Sequence, residues 1–232
     1  MNDKNILIIG GNSGIGASLL NRLRDRGANV YAASRSGFGA APEGVSAQQV
    51  DVTEASFTLK LPDILNGLVY CPGSINLKPF ERLKLDAFEA DMQINFYGLV
   101  KTLQQAVPAL RKSEGASVVA FSTVAVNTGM PYHASIGAAK GALEGLFRAL
   151  AAEYAPRIRF NVIAPSLTDT PMANWLLNSD QKRETSAKRH PLNKVGEAEQ
   201  LAAMAELLLS DDGAWITGQT MHVDGGISNL KV

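Results

Sequence analysis

Short apolar runs alternate along the chain with segments in which apolar residues recur at helical spacing. The first run, residues 6–9, is continuously apolar, which is typical of a parallel strand covered on both faces. Leu19, Leu20 and Leu23 follow at the spacing of one helical face, and Gly27 marks the end of that helix. Because this alternation continues to the C-terminus, it predicts βαβ units, a parallel sheet and right-handed crossovers.

The pattern predicts an α/β fold: a doubly wound parallel sheet of the Rossmann type, with about seven strands and helices on both faces. The predicted strands cover residues 6–9, 30–33, 48–52, 67–71, 117–121, 159–164 and 220–223. The clearest helical patterns cover residues 17–26, 86–111, 135–153 and 197–209. Residues 36–45 are rich in Gly, Ala and Pro and indicate a surface loop. No linker divides the 232 residues, so we expect one domain over 1–232.

Composition narrows the functional classes. The 22 basic residues balance 22 acidic ones, which argues against nucleic acid or an anionic membrane as the main partner, because both require a basic surface. The single cysteine, Cys71, allows no disulfide within the chain, and no run approaches the ~18 apolar residues of a membrane span. Three histidines and one cysteine show no metal-ligand spacing. We therefore expect a cytoplasmic protein without a structural metal site.

Three glycines, Gly10, Gly14 and Gly16, lie between the first predicted strand and the first predicted helix. A tight turn and a close approach of the backbone to a diphosphate both require glycine there, and the positive helix end attracts the phosphates. The spacing is G-x-x-x-G-x-G, and its place at the start of a βαβ chain favours a dinucleotide site over a structural turn. The loop residues between the glycines belong to the same predicted site: Asn12, Ser13 and Ile15.

The end of the second predicted strand indicates which cofactor binds. Ser34 and Arg35 stand there, with no carboxylate to accept hydrogen bonds from the ribose 2′-OH of NAD. An acid would repel a 2′-phosphate, whereas an arginine fork holds it with charge-assisted hydrogen bonds, and Ser13 and Ser34 supply neutral donors. The sequence therefore favours NADP(H), with NAD(H) less favoured. The alternative for Arg35 is a solvated turn residue.

At this point the chain resembles the short-chain dehydrogenase/reductase family over nearly its whole length. The motifs that carry the resemblance are the glycine loop, Asp51-Val52, Gly73, Asn95, residues 161–166, Thr168 and Thr170, and residues 215–218 and 223–226. The resemblance implies that Asp51 and Val52 contact the adenine ring, and that Thr168 and Thr170, after Pro165, hold the nicotinamide carboxamide. Departures occur at Ile9 for the family's threonine, at residues 70–72 for Asn-Asn-Ala, and at Ser166 for glycine.

The family's Tyr-x-x-x-Lys motif is only half present. Its lysine is Lys140, but its tyrosine position is Ile136, which has no proton to give, and its serine position is Thr123 with Ser122 beside it. The resemblance implies that Lys140 fixes the ribose, that Asn95 orders a proton-relay water, and that Thr123, with Ser122, holds a carbonyl oxygen. Losing a positioned acid costs about 10²–10⁴-fold in rate.

Three interpretations of the missing tyrosine remain open. Tyr132 or His133, just before the helix, supplies the proton, and the unperturbed pKa of histidine, about 6.5, suits that task. Alternatively Lys140, or a water ordered by Asn95 and Thr123, supplies it. In the third, the protein binds cofactor without reducing anything and acts as a sensor or scaffold. The leading hypothesis is an NADP(H)-dependent oxidoreductase acting on a carbonyl or alcohol with an altered proton donor.

Residues 172–190, which we call the lid, follow the carboxamide-binding turn and by resemblance close over a substrate. Their apolar members, Met172, Trp175, Leu176 and Leu177, face either a hydrophobic substrate or the core. The basic members are expected on a solvated face: Lys182, Arg183, Lys188 and Arg189. By resemblance the helices at 86–111 and 135–153 form a four-helix contact, which implies a homodimer or homotetramer.

Overall fold

The computed structural model describes residues 1–40 and 42–231. Its main sheet contains, in chain order, β1 (Asn5–Ile9), β2 (Asn29–Ser34), β3 (Val45–Gln49), β4 (Gly67–Tyr70), β5 (Ala116–Phe121), β6 (Ile158–Pro165) and β9 (Thr220–Val223). All neighbours are parallel, in the order β3-β2-β1-β4-β5-β6-β9. Two short strands, β7 (Thr168–Asp169) and β8 (Gly196–Glu197), form a second parallel pair. The predicted doubly wound α/β fold is confirmed.

Helices cover both faces of the sheet. They are α1 (Gly14–Asp25), α2 (Leu85–Met92), α3 (Gly98–Leu110), α4 (Ala125–Thr128), α5 (Ala134–Tyr154), α6 (Asp180–Ala187) and α7 (Ala198–Leu209), with 3₁₀ turns at Phe80–Arg82, Pro171–Leu176 and Asp211–Gly213. Alternate strand residues separate two cores. One core packs Ile6 and Ile8 against α1 and α7, and the other packs Leu7 and Ile9 against α3 and α5.

The strand order places a ligand crevice at one edge of the sheet. β1 lies between β2 and β4. The chain runs from β1 to β2 and β3 on one side and then crosses back to β4 on the other side. In such sheets the crevice outside the carboxyl ends of the strands at this switch point is the usual ligand site. Residues that follow β1, β4, β5 and β6 therefore converge there.

The predicted third strand was wrong by three residues. The sequence indicated 48–52, whereas β3 is Val45–Gln49. β3 is an edge strand whose residues are exposed or half-buried, so no apolar run marks it. Val50 and Val52, which suggested a strand, are buried beyond its end. The predicted loop 36–45 includes position 41, which lies outside the described residues, and its last residue begins β3.

The helix predicted over 86–111 contains a feature that its pattern did not indicate. A π-helical turn, Gln93–Tyr97, separates α2 from α3 and carries Asn95. The Tyr70 hydroxyl donates to the Ile94 carbonyl inside this turn at 2.6 Å. The next residue, Gly98, has no room for a side chain, because a Cβ there would lie 2.6 Å from the Tyr70 hydroxyl oxygen. Glycine therefore lets the helix pass unusually close to β4.

Candidate functional site

A cavity of about 510 Å³ opens at the carboxyl edge of the sheet. Every predicted cofactor-binding residue lines it: Gly10, Asn12, Ser13, Gly14, Ile15, Gly16, Ser34, Arg35, Asp51, Val52, Gly73, Lys140, Pro165, Thr168 and Thr170. Of the predicted catalytic residues, Ser122, Thr123, Lys140 and His133 line it, whereas Asn95 and Tyr132 do not. We call the part lined by residues 10, 12–16, 34–35 and 51–52 the cofactor half, and the part lined by Thr123, Ile136, Ser166 and the lid the substrate half.

The glycine loop is shaped by sterics. Gly10 has φ of 81°, a conformation that favours glycine. A Cβ on Gly16 would lie 2.1 Å from the Gly10 carbonyl oxygen, so no larger residue fits while the loop keeps this path. Ser13 precedes α1 without capping it through its side chain, and the first turn of α1 contains no acidic residue. The positive end of the helix therefore faces the cavity without internal neutralisation, as an anion site requires.

The far end of the cofactor half is held by polar contacts. The Asn12 amide donates to the Ser36 hydroxyl at 2.8 Å and to the Gly37 carbonyl at 2.9 Å, which joins the glycine loop to the segment after β2. The Asp51 carboxylate accepts hydrogen bonds from the Thr53 hydroxyl and amide, which hold the pKa of Asp51 below its usual range, and the charge of Arg35 acts in the same direction. Ser34 is buried, whereas Arg35 is exposed at the rim.

Lys140 lies between the two halves. Its ammonium is buried and donates to the Phe121 carbonyl at 2.6 Å. Burial lowers the pKa of Lys140 to about 8, although the neighbouring Cys71 and Asp91 act in the opposite direction. A Cβ on Gly73 would lie 3.5 Å from Lys140 Nζ and 3.2 Å from Asn95 Oδ1, so glycine leaves room for both groups.

Behind Gly73 a buried polar cluster surrounds Asn95. The Asn95 amide donates to the Ser74 hydroxyl at 2.9 Å and to the Asp91 carbonyl at 2.8 Å, and Ser74 donates to the Asp91 carboxylate at 2.6 Å. Asn95 Oδ1 and Asp91 Oδ2 are buried without a protein partner. Buried polar atoms of this kind are usually satisfied by ordered water. Asn95 thus lies one layer behind the cavity wall.

The two candidates for binding a carbonyl oxygen, Ser122 and Thr123, have different hydrogen-bond partners. Ser122 donates its hydroxyl to Glu144, one helical turn beyond Lys140 on α5. Thr123 accepts a hydrogen bond from the Ala125 amide at 3.3 Å, which leaves its hydroxyl hydrogen available. Ile136 is buried and lines the cavity on the same face of α5 as Lys140. The side chain at this position is therefore apolar where the family places an acid.

The two residues before α5 separate in the structure. Tyr132 has a positive φ of 70° and is 58% exposed, outside the cavity. His133 lines the cavity, and its Nδ1 lies 2.7 Å from the Pro131 carbonyl oxygen. Since a carbonyl only accepts, Nδ1 carries the hydrogen, and Nε2 is the unprotonated nitrogen of the neutral ring.

A pair that local sequence patterns did not reveal lies at the floor of the substrate half. Ser166 Oγ is 2.8 Å from His190 Nε2, and His190 Nδ1 is 2.8 Å from the Ser186 carbonyl oxygen. Ser166 stands where the resemblance places glycine, but His190 is 24 residues away on the lid, so no local sequence pattern links the two. Only the fold brings the two together.

The lid is held against the domain at several points. The 3₁₀ segment Pro171–Leu176 and α6 form most of it. Leu177 is buried in the core, whereas Met172 and Leu176 line the cavity. Arg183 pairs with Asp169 of β7 at 2.6 Å, which ties α6 to the small sheet. Trp175 is half exposed and does not line the cavity, so the predicted apolar patch is divided among three environments.

Other side chains offer little further chemistry. Burial raises the pKa of the Cys71 thiol to about 12, so it stays protonated at neutral pH. Within residues 1–40 and 42–231, no three His, Cys, Asp or Glu side chains are grouped so as to hold a metal ion. None of the helices in that part of the chain is long and apolar enough to cross a bilayer.

Comparison with known proteins gives consistent matches over the whole chain. A family model described as enoyl-(acyl carrier protein) reductase matches residues 9–228. The 2-(S)-hydroxypropyl-CoM dehydrogenase 3 of Xanthobacter autotrophicus is 31% identical over 246 residues, covering 97% of this chain and 96% of that protein.

Solved structures show the same fold. The ligand-free aldohexose dehydrogenase of Thermoplasma acidophilum has a TM-score of 0.88 at 24% identity, covering 100% of this chain and 97% of that one. The RhlG/NADP active-site complex of Pseudomonas aeruginosa has a TM-score of 0.87 at 26% identity, covering 98% of this chain and 97% of that one.

Proposed function

Because the chain belongs to the short-chain dehydrogenase/reductase family, we propose that it is an NADP(H)-dependent oxidoreductase with an altered proton donor. It transfers hydride between the nicotinamide and a carbonyl or alcohol substrate. The observation that carries the proposal is the glycine loop, where the space that a Cβ on Gly16 would fill is occupied by the Gly10 carbonyl and the uncapped end of α1 faces the cavity.

The residues that line the cofactor half fit a phosphorylated dinucleotide. The amides at the start of α1 would hold the diphosphate, and Ser34 and Arg35 would hold the 2′-phosphate. Asp51 and Val52 would contact the adenine, and Thr168 and Thr170 the carboxamide. NADP is present in the Pseudomonas aeruginosa relative's active-site complex, which supports this choice. When bound, the cofactor supplies or accepts the hydride.

The residues between the halves would position the reacting groups. Lys140, with its ammonium already fixed by the Phe121 carbonyl, would bind the nicotinamide ribose. Asn95 would order a water in the buried polar cluster behind Gly73, and Thr123 would hold the carbonyl oxygen with its free hydroxyl hydrogen. Ser122, bonded to Glu144, would support Thr123 rather than contact substrate.

The assembly state is a further part of the proposal. Small residues on α5, including the exposed Ala138 and Gly145, allow another helix to approach closely. By analogy with the family, α5 and the α2–α3 region would form the contact of a homodimer or homotetramer. Sedimentation equilibrium would measure the mass.

The test combines binding and turnover. Calorimetric titration of the wild type should give a lower Kd for NADPH than for NADH. The Arg35→Ala variant should lose about 10–100-fold in NADPH affinity, because a charge-assisted hydrogen bond contributes about 1.5–3 kcal/mol, while its NADH affinity stays within about twofold. Arg24→Ala is the matched control, since Arg24 pairs with Asp25 outside the cavity.

Turnover separates the enzyme from a silent binder. NADPH oxidation should be detected against a panel of aldehydes, ketones and quinones. NADPH binding without oxidation across that panel would favour a sensor or scaffold role, for which the apolar Ile136 is the motivation. NADH affinity equal to or tighter than NADPH affinity would overturn the cofactor choice.

A further inference from the structure

A buried histidine supports a hydroxyl at the floor of the substrate half. His190 is only 4% exposed and is bonded on both ring nitrogens, at 2.8 Å to Ser166 Oγ and at 2.8 Å to the Ser186 carbonyl oxygen. Because the carbonyl can only accept, Nδ1 carries a hydrogen. In the neutral ring Nε2 then accepts from the Ser166 hydroxyl, and in the protonated ring Nε2 donates to it. A proton can therefore move between Ser166 Oγ and His190 Nε2 in either direction.

Ser166 stands beside the residue expected to hold a carbonyl oxygen. β5 and β6 are neighbours, with Phe121 paired to Ile163, and the Val124 amide donates to the Pro165 carbonyl at 3.1 Å. Continuing this register places Thr123 opposite Pro165, so Ser166 lies one residue further along at the same carboxyl edge of the sheet. Both residues line the cavity.

We propose that Ser166, supported by His190, is the proton donor that takes the place of the missing tyrosine, an inference that rests on the proposed oxidoreductase function. In reduction, the carbonyl carbon of the substrate gains a hydride, its π pair moves to oxygen, and that oxygen takes the Ser166 hydroxyl proton. Ser166 Oγ takes the Nε2 proton of protonated His190, which becomes neutral and regains a proton from solvent. The hydride and its two electrons would be supplied by the reduced nicotinamide that the cofactor half would hold. Alcohol oxidation reverses each step.

Helix electrostatics favour His190 over His133 as the source of the proton. His190 follows the C-terminal end of α6 and bonds to a carbonyl of its last turn, where a protonated imidazole is stabilised. His133 is the residue before α5, at the positive end of a helix, where the same charge is disfavoured. The charged residues next to His190 are Arg189, which lines the cavity, and Asp224, whose turn packs on the His190 ring through Gly225.

The test compares His190→Gln and Ser166→Ala with the wild type, using NADPH and one accepted carbonyl substrate. The glutamine amide can still bond to Ser166 but holds no titratable proton. Both variants should lose about 10²–10⁴-fold in kcat, the usual effect of a positioned acid, while the Kd for NADPH stays within about twofold. Ser166→Thr keeps the hydroxyl and should recover most of that loss. His222→Gln, on β9 outside the cavity, is the matched control.

The pH profile distinguishes a relay from a structural tie. For wild-type reduction, kcat should fall as the pH rises, and His190→Gln should lack that pH dependence. Wild-type kcat in both Ser166→Ala and His190→Gln would overturn the relay alone, as would a large loss confined to His133→Gln. No turnover by the wild type would instead overturn the oxidoreductase function and the relay with it. If His190→Gln fails to fold, the comparison of kcat in Ser166→Ala and Ser166→Thr tests whether the Ser166 hydroxyl donates the proton.

Discussion

The two halves of the cavity differ in whether backbone groups or individual side chains would contact a ligand. In the cofactor half the contacts that we propose for the diphosphate come from backbone amides at the uncapped end of α1, and the sequence constraint there is the absence of side chains at Gly10 and Gly16. In the substrate half the chemistry depends on individual side chains, and three of them, Thr123, Ile136 and Ser166, depart from the family's pattern. Backbone recognition of a diphosphate tolerates little change, whereas a proton can be supplied by any hydroxyl or imidazole that the fold places correctly.

The fold accommodates an apolar side chain at position 136, which the family resemblance aligns with a tyrosine. Ile136 is buried on α5 and contributes apolar contact rather than a proton. Lys140, one turn further along α5, keeps its bond to the Phe121 carbonyl without any help from position 136. The contacts of Lys140 therefore do not depend on the side chain at position 136, and our proposal places the acid of the substrate half at another residue.

The largest expected effect comes from filling the glycine loop. In Gly16→Ala, the new Cβ would meet the Gly10 carbonyl oxygen at 2.1 Å, so the turn must move. Overpacking costs about 1–3 kcal/mol, and because this Cβ meets backbone we expect the upper end of that range, which corresponds to a rise of about 100-fold in the NADPH Kd. Calorimetric titration measures the Kd, and circular dichroism checks that the variant is folded.

Gly11→Ala is the matched control in the same loop. A Cβ there meets only side-chain methyl groups, at 3.3–3.5 Å, so a small adjustment accommodates it. Its NADPH affinity should stay close to that of the wild type. Equal losses in the two variants would indicate a general sensitivity of the loop, and an unchanged Kd in Gly16→Ala would remove the loop from the binding site.

The difference between backbone contacts and individual side chains also decides which parts of the molecule the sequence can predict. The alternation of strands and helices, the glycine loop and the polar residues after β2 follow from apolar periodicity and from steric and electrostatic rules that act over a few residues, whereas the cavity residues after β6 were predicted from the family resemblance. The bounds of β3 were missed because an edge strand has no buried face to mark it. The Ser166–His190 pair was missed because its partners are joined only by the path of the lid, and no local pattern encodes a contact over 24 residues.

The substrate half is tested by restoring the tyrosine. In a Ser166→Ala background, Ile136→Tyr places a phenol one helical turn before Lys140, whose positive charge favours its ionisation. A positioned acid contributes about 10²–10⁴-fold, and we expect a kcat gain of about 100-fold over Ser166→Ala alone, measured as NADPH oxidation. In the wild-type background, where Ser166 is intact, the gain should be smaller. Equal gains in the two backgrounds would argue that Ser166 donates no proton.

The smallest expected effect concerns Lys140, at the boundary of the two halves. Its pKa in the folded protein is about 8, below the unfolded value near 10.4, because burial disfavours the charged form. Between these values the unfolded chain binds more protons, so stability rises with pH in that window, and below pH 8 the full burial penalty applies. From pH 7 to 9.5 the gain amounts to about 2 kcal/mol.

The Lys140→Met variant has no ammonium at this position. Comparing it with the wild type therefore isolates the contribution of Lys140 to the pH dependence of stability. Urea unfolding without cofactor at pH 7 and 9.5 should show that the free energy of unfolding of the wild type increases by about 2 kcal/mol relative to the variant. Any constant cost from the unpaired Phe121 carbonyl cancels, because only the change with pH is compared. A difference that does not change with pH would mean that Lys140 titrates at an ordinary pKa. In that case the boundary between the two halves is wetter than this geometry implies, and the protons of both halves exchange freely with solvent.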